Sequence, residues 1–187
     1  MNVVPTALPG VVIIEPRAFR DDRGHFFESF SAAKYREAGL PDRFAQDNIS
    51  FSKAGVLRGL HYQLPNAQGK LVSALRGSVF DVAVDIRRGS PTFGRWVGMV
   101  LSDENLRQMY IPEGFAHGFA VLSECAVFHY KCTASYDPQS EGSILWDDPD
   151  LGIDWPIRDA LLSPKDAAAP RLAHIAPDRL FRYEAAR

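Results

Sequence analysis

The stretch Val56 to Lys70, VLRGLHYQLPNAQGK, sets Arg58, His61 and Lys70 into an apolar strand and the turn that follows it. Cations are normally left in water, because removing a charge from solvent is costly unless something pairs with it. These three are therefore either rim residues or parts of a site. Two further stretches carry residues of similar chemistry. In IPEGFAHGFA (Ile111 to Ala120), Pro112 and Gly114 mark a turn that delivers His117 to the start of a strand. In CAVFHYKCTASY (Cys125 to Tyr136), alternation puts Tyr130 and Tyr136 on one parity and His129 and Lys131 on the other. Arg58 and His61 have opposite parity in an ideal strand, so a joint site needs a bulge or twist, for which Gly59 is the obvious place.

The elements that must position these groups repeat with a period of two. VVIIEP, FAQDNISFS, KLVSALRGSVFDVAVDIRRG, RWVGMVLS, RQMYIP, HGFAVLS and CAVFHYKCTASY are short β-branched and aromatic runs separated by Gly, Pro, Asn or Asp. Helical candidates are few: SAAKYREAGL, with Ser31 as N-cap and closure near Gly39, and SPKDAAA from Ser163. Strands at this spacing predict an all-β chain closed as a jelly-roll sandwich or barrel. Parity then places Gln46, Asn48 and Ser50 on one face of their strand, and Asp81 and Asp85 opposite Phe80, Val82 and Val84, which implies a barrel interior with a polar end.

Length and charge limit what such a site can serve. The 187 residues suffice for one substantial core, no repeat or linker divides them, and a single domain spanning 1–187 is expected. With 21 Lys and Arg against 23 Asp and Glu, the net charge of −2 gives no reason to expect nucleic acid or an acidic membrane surface as partner. An anionic ligand must be held locally. MNVVPTALPGVVIIEPR has no basic n-region and only a short apolar run broken by prolines, so neither a signal peptide nor a membrane span is expected, and the default location is cytoplasmic. Cys125 and Cys132, seven apart in a strand-rich stretch without CxxC spacing, read as buried reduced thiols.

Six strings occur in order along nearly the whole chain: DRGHFFE (Asp22 to Glu28), QDNIS (Gln46 to Ser50), LRGLHYQ (Leu57 to Gln63), PEGFAHGF (Pro112 to Phe119), YKCTASY (Tyr130 to Tyr136) and SPKD (Ser163 to Asp166). Together they closely resemble the dTDP-4-dehydrorhamnose 3,5-epimerase family. The resemblance implies a cupin-type jelly roll, a homodimer with shared active sites, no cofactor, no metal, and an enzyme of deoxysugar nucleotide biosynthesis acting on a dTDP-4-keto-6-deoxyhexose. Inverting a carbon beside a ketone requires removing its proton, carrying negative charge on the ketone oxygen, and returning a proton to the opposite face. By the resemblance His61 is the base, oriented by Asp166; Lys70 faces the enolate; Tyr130 is the acid; and His117 bonds near the keto group or hydroxyls. Arg58, Gln46 and Asn48 would lie along phosphate and sugar, Arg23, Phe26 and Glu28 would grip the thymidine from the neighbouring subunit, and Tyr136, Glu141 and Lys165 would complete the nucleotide end.

Taken one at a time the same residues have plainer readings. His61 and His117 suit hydrogen-bonded structural roles, Tyr130 a sheet aromatic, Arg58 and Lys70 rim charges, and Asp166 a first-turn helix carboxylate. His25 and His129 read as surface or packing residues and His174 as solvated. Two rival functions remain open. One is a metal-dependent cupin, with His61 and His117 offered to Fe, Mn or Zn; it is short of ligands, because Tyr62 and Gln63 follow His61 where a second histidine, spaced by one residue, and a glutamate are usual. The other is a non-catalytic sugar or nucleotide binding module, against which the intact set of His61, Lys70 and Tyr130 argues. Relatives that epimerise one carbon only, or shift the keto group, share nearly all these residues, and dTDP differs from UDP by little that they would sense.

Overall fold

The structure, a computed structural model, describes residues 1–184. The chain opens with β1 (Asn2–Pro5) and β2 (Val12–Glu15), then a separate hairpin of β3 (Ala18–Asp21) and β4 (Gly24–Phe27), then the helix α1 (Ala32–Glu37). Nine strands follow: β5 (Gln46–Lys53), β6 (Leu57–Gln63), β7 (Lys70–Arg76), β8 (Ser78–Asp85), β9 (Arg87–Arg88), β10 (Trp96–Ser102), β11 (Gln108–Ile111), β12 (Phe115–Val121) and β13 (Cys125–Cys132). The three-residue β14 (Glu141–Ser143), the one-turn α2 (Pro164–Ala167) and β15 (Phe181–Arg182) complete it.

Two antiparallel sheets face each other, in the orders β1-β2-β11-β7-β13-β5 and β10-β8-β12-β6-β14. This is the jelly-roll sandwich that the alternation predicts. Inner faces interdigitate: Val72, Met109 and Phe128 of the six-stranded sheet meet Val79, Ala83 and Phe119 of the five-stranded one. Phe128 is completely buried, and a side chain of that size stabilises the fold by roughly 1.5–3 kcal/mol. Phe80, Val82 and Val84 point the other way, against Leu151, Leu172 and Leu180 of the C-terminal segment, so the predicted parity of β8 holds. On the outer face of the six-stranded sheet Tyr35 of α1 packs with Ile14, Leu71 and Tyr110.

Three details refine the sequence reading. Ser31 is the N-cap of α1 but makes no side-chain capping bond, and positive φ at Gly39 follows the helix. Ser163 does cap α2, its Oγ accepting from Asp166 N at 3.1 Å. The strand read as running to Tyr136 stops at Cys132, where Thr133 turns out to meet Gly69, so alternation cannot assign Tyr136 to a face. Cys125 and Cys132 are both free thiols; Cys132 is buried and Cys125 half-buried. Among the described residues no helix is long and apolar enough to cross a membrane.

Candidate active site

Gly59 makes the site possible. His117 on β12 pairs with His61 and Phe119 with Arg58, so two residues on β12 span three on β6, and the extra one is a bulge. Gly59 adopts φ +120°, and a Cβ there would lie 2.6 Å from Gly118 Cα and 2.7 Å from His117 O. Only glycine fits on both counts. The bulge rotates Arg58 onto the side of His61, and both line one cleft of about 520 Å³.

His61 stands on the wall formed by the five-stranded sheet. Its Nε2 lies 2.7 Å from Asp166 Oδ1, which leaves Nδ1 as the ring nitrogen without a partner among the described residues. Asp166 comes from α2, which is tied to the start of β6 by Leu57 N donating to Leu161 O. Burial raises the Asp166 pKa, but the His61 hydrogen bond and charge, helped by Ser163, outweigh it and hold the carboxyl below the usual range.

His117 has a counterpart arrangement deeper in the sandwich. Its Nε2 is 2.8 Å from Asp81 Oδ2, and its ring stacks on Phe128 with centroids 6.2 Å apart. Asp81 is wholly buried, and its Oδ1 has no hydrogen-bond partner among the described residues. Here burial dominates and the carboxyl is pushed up, with His117 and Lys70 opposing.

The opposite wall, the six-stranded sheet, supplies Lys70 and Tyr130. Lys70 is 8% exposed, makes no ion pair among the described residues, and reaches the cleft and an adjoining lobe of about 230 Å³. Burial pulls its ammonium pKa down, opposed by Cys132, Asp81 and Glu141. Tyr130 lines the same two spaces; burial pushes its phenol up while Arg58 pulls it down, so the group faces the cleft protonated at neutral pH.

The adjoining lobe holds Gln46 and Asn48, expected along phosphate and sugar, and Tyr136 and Glu141, expected at the nucleotide end. Gln46 donates to Asn48 Oδ1 at 2.9 Å and accepts from Tyr136 N at 2.7 Å. Tyr136 OH donates to Glu141 at 3.0 Å, and Lys165 pairs with the same carboxylate oxygen. Burial raises the Glu141 pKa, but the bonds from Lys165 and Tyr136 prevail and lower it.

Eleven of the fourteen residues singled out in sequence thus border these two spaces, and Arg23, Phe26 and Glu28 do not. Those three lie on or beside the β3–β4 hairpin, where Arg23 pairs with Asp21, Glu28 with Lys34, and Phe26 is 72% exposed. His25 and His174 are exposed and His129 is half-buried, none of them lining either space. Two residues had a parity signal and no assigned role: Ser50, a cleft residue whose buried Oγ is unpartnered among the described residues, and Asp81, which lies behind the cleft and bonds His117. Among the described residues no group of three or more His, Cys, Asp or Glu is placed to hold a metal ion.

Comparison with known proteins identifies the family. The dTDP-4-dehydrorhamnose 3,5-epimerase family profile matches residues 5–174. A dTDP-4-dehydrorhamnose 3,5-epimerase of Pseudomonas aeruginosa is 61% identical over 168 residues, 89% of this chain and 93% of that protein. The crystal structure of a dTDP-6-deoxy-D-glucose-3,5-epimerase from Legionella pneumophila in complex with dTDP-4-keto-L-rhamnose superposes with a TM-score of 0.96 at 59% identity, covering 98% of this chain and 99% of that one. A 3'-monoepimerase from Streptomyces bikiniensis in complex with dTDP-quinovose gives 0.86 at 39%, covering 91% and 87%. On sequence and fold alike, this chain belongs to the dTDP-4-dehydrorhamnose 3,5-epimerase family.

Proposed function

We propose that the protein is a cofactor-independent epimerase that converts a dTDP-4-keto-6-deoxyhexose, dTDP-4-dehydro-6-deoxyglucose, to dTDP-4-dehydrorhamnose by inverting the two carbons that flank the ketone. The observation that carries this reading is the placing of His61 and Tyr130 on opposite walls of one cleft with Lys70 beside them. His61 Nδ1 removes the proton from a carbon next to the C4 ketone, and the electron pair moves into an enolate on O4. Asp166 holds the Nε2 proton and stabilises the imidazolium formed. The Lys70 ammonium meets the negative charge on O4, where a buried cation acts more strongly than it would in water. Tyr130 then gives its proton to the other face of the carbon, and Arg58 steadies the phenolate. His117 hydrogen-bonds the sugar close to the ketone.

Arg58 with Gln46 and Asn48 suits the phosphates and sugar, and Tyr136, Glu141 and Lys165 suit the nucleotide end. The remaining grip comes from a partner subunit in a homodimer, whose hairpin brings Arg23, Phe26 and Glu28 to this cleft. Supporting this, the outer face of the six-stranded sheet leaves Ile49 and Phe51 of edge strand β5 67% and 60% exposed, and Phe27, Ile49 and Leu75 line one groove there. Apolar surface of that kind marks an interface. A cytoplasmic site of action fits a nucleotide-sugar substrate.

Incubating dTDP-4-keto-6-deoxyglucose with the protein in deuterated water and following it by NMR tests the reading. Deuterium at both C3 and C5 with inversion is expected. Incorporation at C3 alone would make the protein a single-carbon epimerase like its more distant relative, and none at either position would overturn the assignment.

A further inference from the structure

The proposed cycle gives Asp81 no step, yet the fold keeps it as the buried carboxylate with an oxygen lacking any donor among the described residues. Such a group is costly and is retained where its charge is used. The other anions near Lys70 are committed. Glu141 is held by Lys165 and Tyr136, Asp166 by His61, and burial keeps the Cys132 thiol protonated. Cys132 lies directly beside Lys70 in the β13–β7 register, and Ile111 on the β11 side is apolar. Across the cleft are His61, His117, Arg58 and Lys165, and Tyr130 stands on the same wall as Lys70; none of these five is a carboxylate. Of the groups other than Asp81, only Glu141 brings a carboxylate to bear on Lys70, and it is shared with Lys165 and Tyr136.

Resting on the epimerase reading for its functional meaning, we propose that Asp81 is a positioning residue with two tasks. It fixes His117 with Nε2–H turned inward and Nδ1 left for the sugar, and its free oxygen supplies the buried negative charge that keeps Lys70 protonated for the enolate. Phe119 and Met99 flank Asp81 in the sheet and shield it from water, which strengthens its field at His117 and Lys70. Lys70 and Asp81 each act on the other's titration in the expected sense, the lysine lowering the acid and the acid raising the lysine.

The test is an NMR titration of Lys70 in protein labelled at lysine Cε, assigned with Lys70→Met, in the wild type and in Asp81→Asn. The midpoint of Lys70 should fall by about one pH unit or more in Asp81→Asn, as for the loss of one nearby opposite charge. The alkaline limb of kcat should move down with it, with KM for the nucleotide sugar within about twofold and kcat at pH 8 reduced by up to roughly 10²-fold, the scale of a lost oxyanion partner. An unmoved Lys70 midpoint in a folded variant overturns the proposal, even if kcat falls. Should Asp81→Asn not fold, the wild type still decides: imidazole ¹⁵N spectra must show His117 with its proton on Nε2, and the Nδ1–H tautomer would overturn it. Neither spectrum needs turnover, so the result stands apart from whether the epimerase reading succeeds.

Discussion

The cleft holds two histidine–carboxylate pairs of nearly equal length, 2.7 Å for His61–Asp166 and 2.8 Å for His117–Asp81, set in unlike surroundings. His61 has 33% of its side chain exposed and its acid rides on a one-turn helix at the rim; His117 has 9% and its acid is sealed in the sandwich. At the rim, hydrogen bonds overcome burial and keep Asp166 a ready anion. In the core, burial prevails and pushes the Asp81 carboxyl up, with His117 and Lys70 opposing. On the proposed mechanism the same two side chains make a proton-transferring base in one place and a fixed donor or acceptor in the other. Depth, more than residue type, decides which.

The largest effect expected from a substitution that spares both pairs is at Tyr130. Tyr130→Phe should slow net inversion by roughly 10²–10⁴-fold, yet substrate protons should still exchange with solvent, because His61 can return a deuteron to the face it took a proton from. Wild-type inversion in this variant would assign the acid to water or another group. Next comes Asp166→Asn, which keeps the shape of the rim pair and removes its charge; kcat should drop by about 10², less than loss of the base itself, with nucleotide binding little changed. An unaltered kcat would mean that the rim pair is no different in kind from the core pair.

A smaller, partial effect is expected from mixing chains. Arg23→Ala and His61→Ala proteins, each poorly active alone, should regain some activity together if the hairpin serves the partner's cleft, since one of the two sites in a mixed dimer would be whole. No recovery under conditions of subunit exchange would place Arg23 outside the site. The smallest effects concern stability, and their signs are opposite. Asp166 has a lowered folded pKa, so its contribution is present above the ordinary carboxylate range and is lost as pH falls through the folded value. Asp81 has a raised folded pKa, so its ionisation costs stability at neutral pH, and that cost is relieved as pH falls below the raised value. At pH 7, Asp166→Asn should lower Tm by a few degrees, whereas Asp81→Asn should leave it unchanged or slightly higher. Equal losses would show that the two pairs differ less than their burial implies.

Much of this contrast could be read from the chain before its fold was known, and the missing part has a physical cause. Alternation exposed the long strands and set Asp81 and Ser50 facing inward, because a half-buried strand must repeat every two residues. Gly59 betrayed the bulge joining Arg58 to His61, because the extra residue needs positive φ and close backbone approach. The pairing of His117 with Asp81 was not legible, since it depends on the β8–β12 register, which parity alone does not set. Asp166 meets His61 across 105 positions of chain, and only the family resemblance suggested it. β14, three residues long, is too short to alternate, and because Thr133 ends β13 early the parity argument does not reach Tyr136, although it borders the same lobe as Tyr130.

The claim that only the rim histidine exchanges protons with substrate is tested most directly by deuterium wash-in, comparing His61→Asn with His117→Gln on the same 4-keto sugar nucleotide. The account predicts that His61→Asn abolishes incorporation at C3 and C5 alike while His117→Gln retains it at a reduced rate. Near-wild-type incorporation in His61→Asn, or its complete loss in both variants, would contradict it.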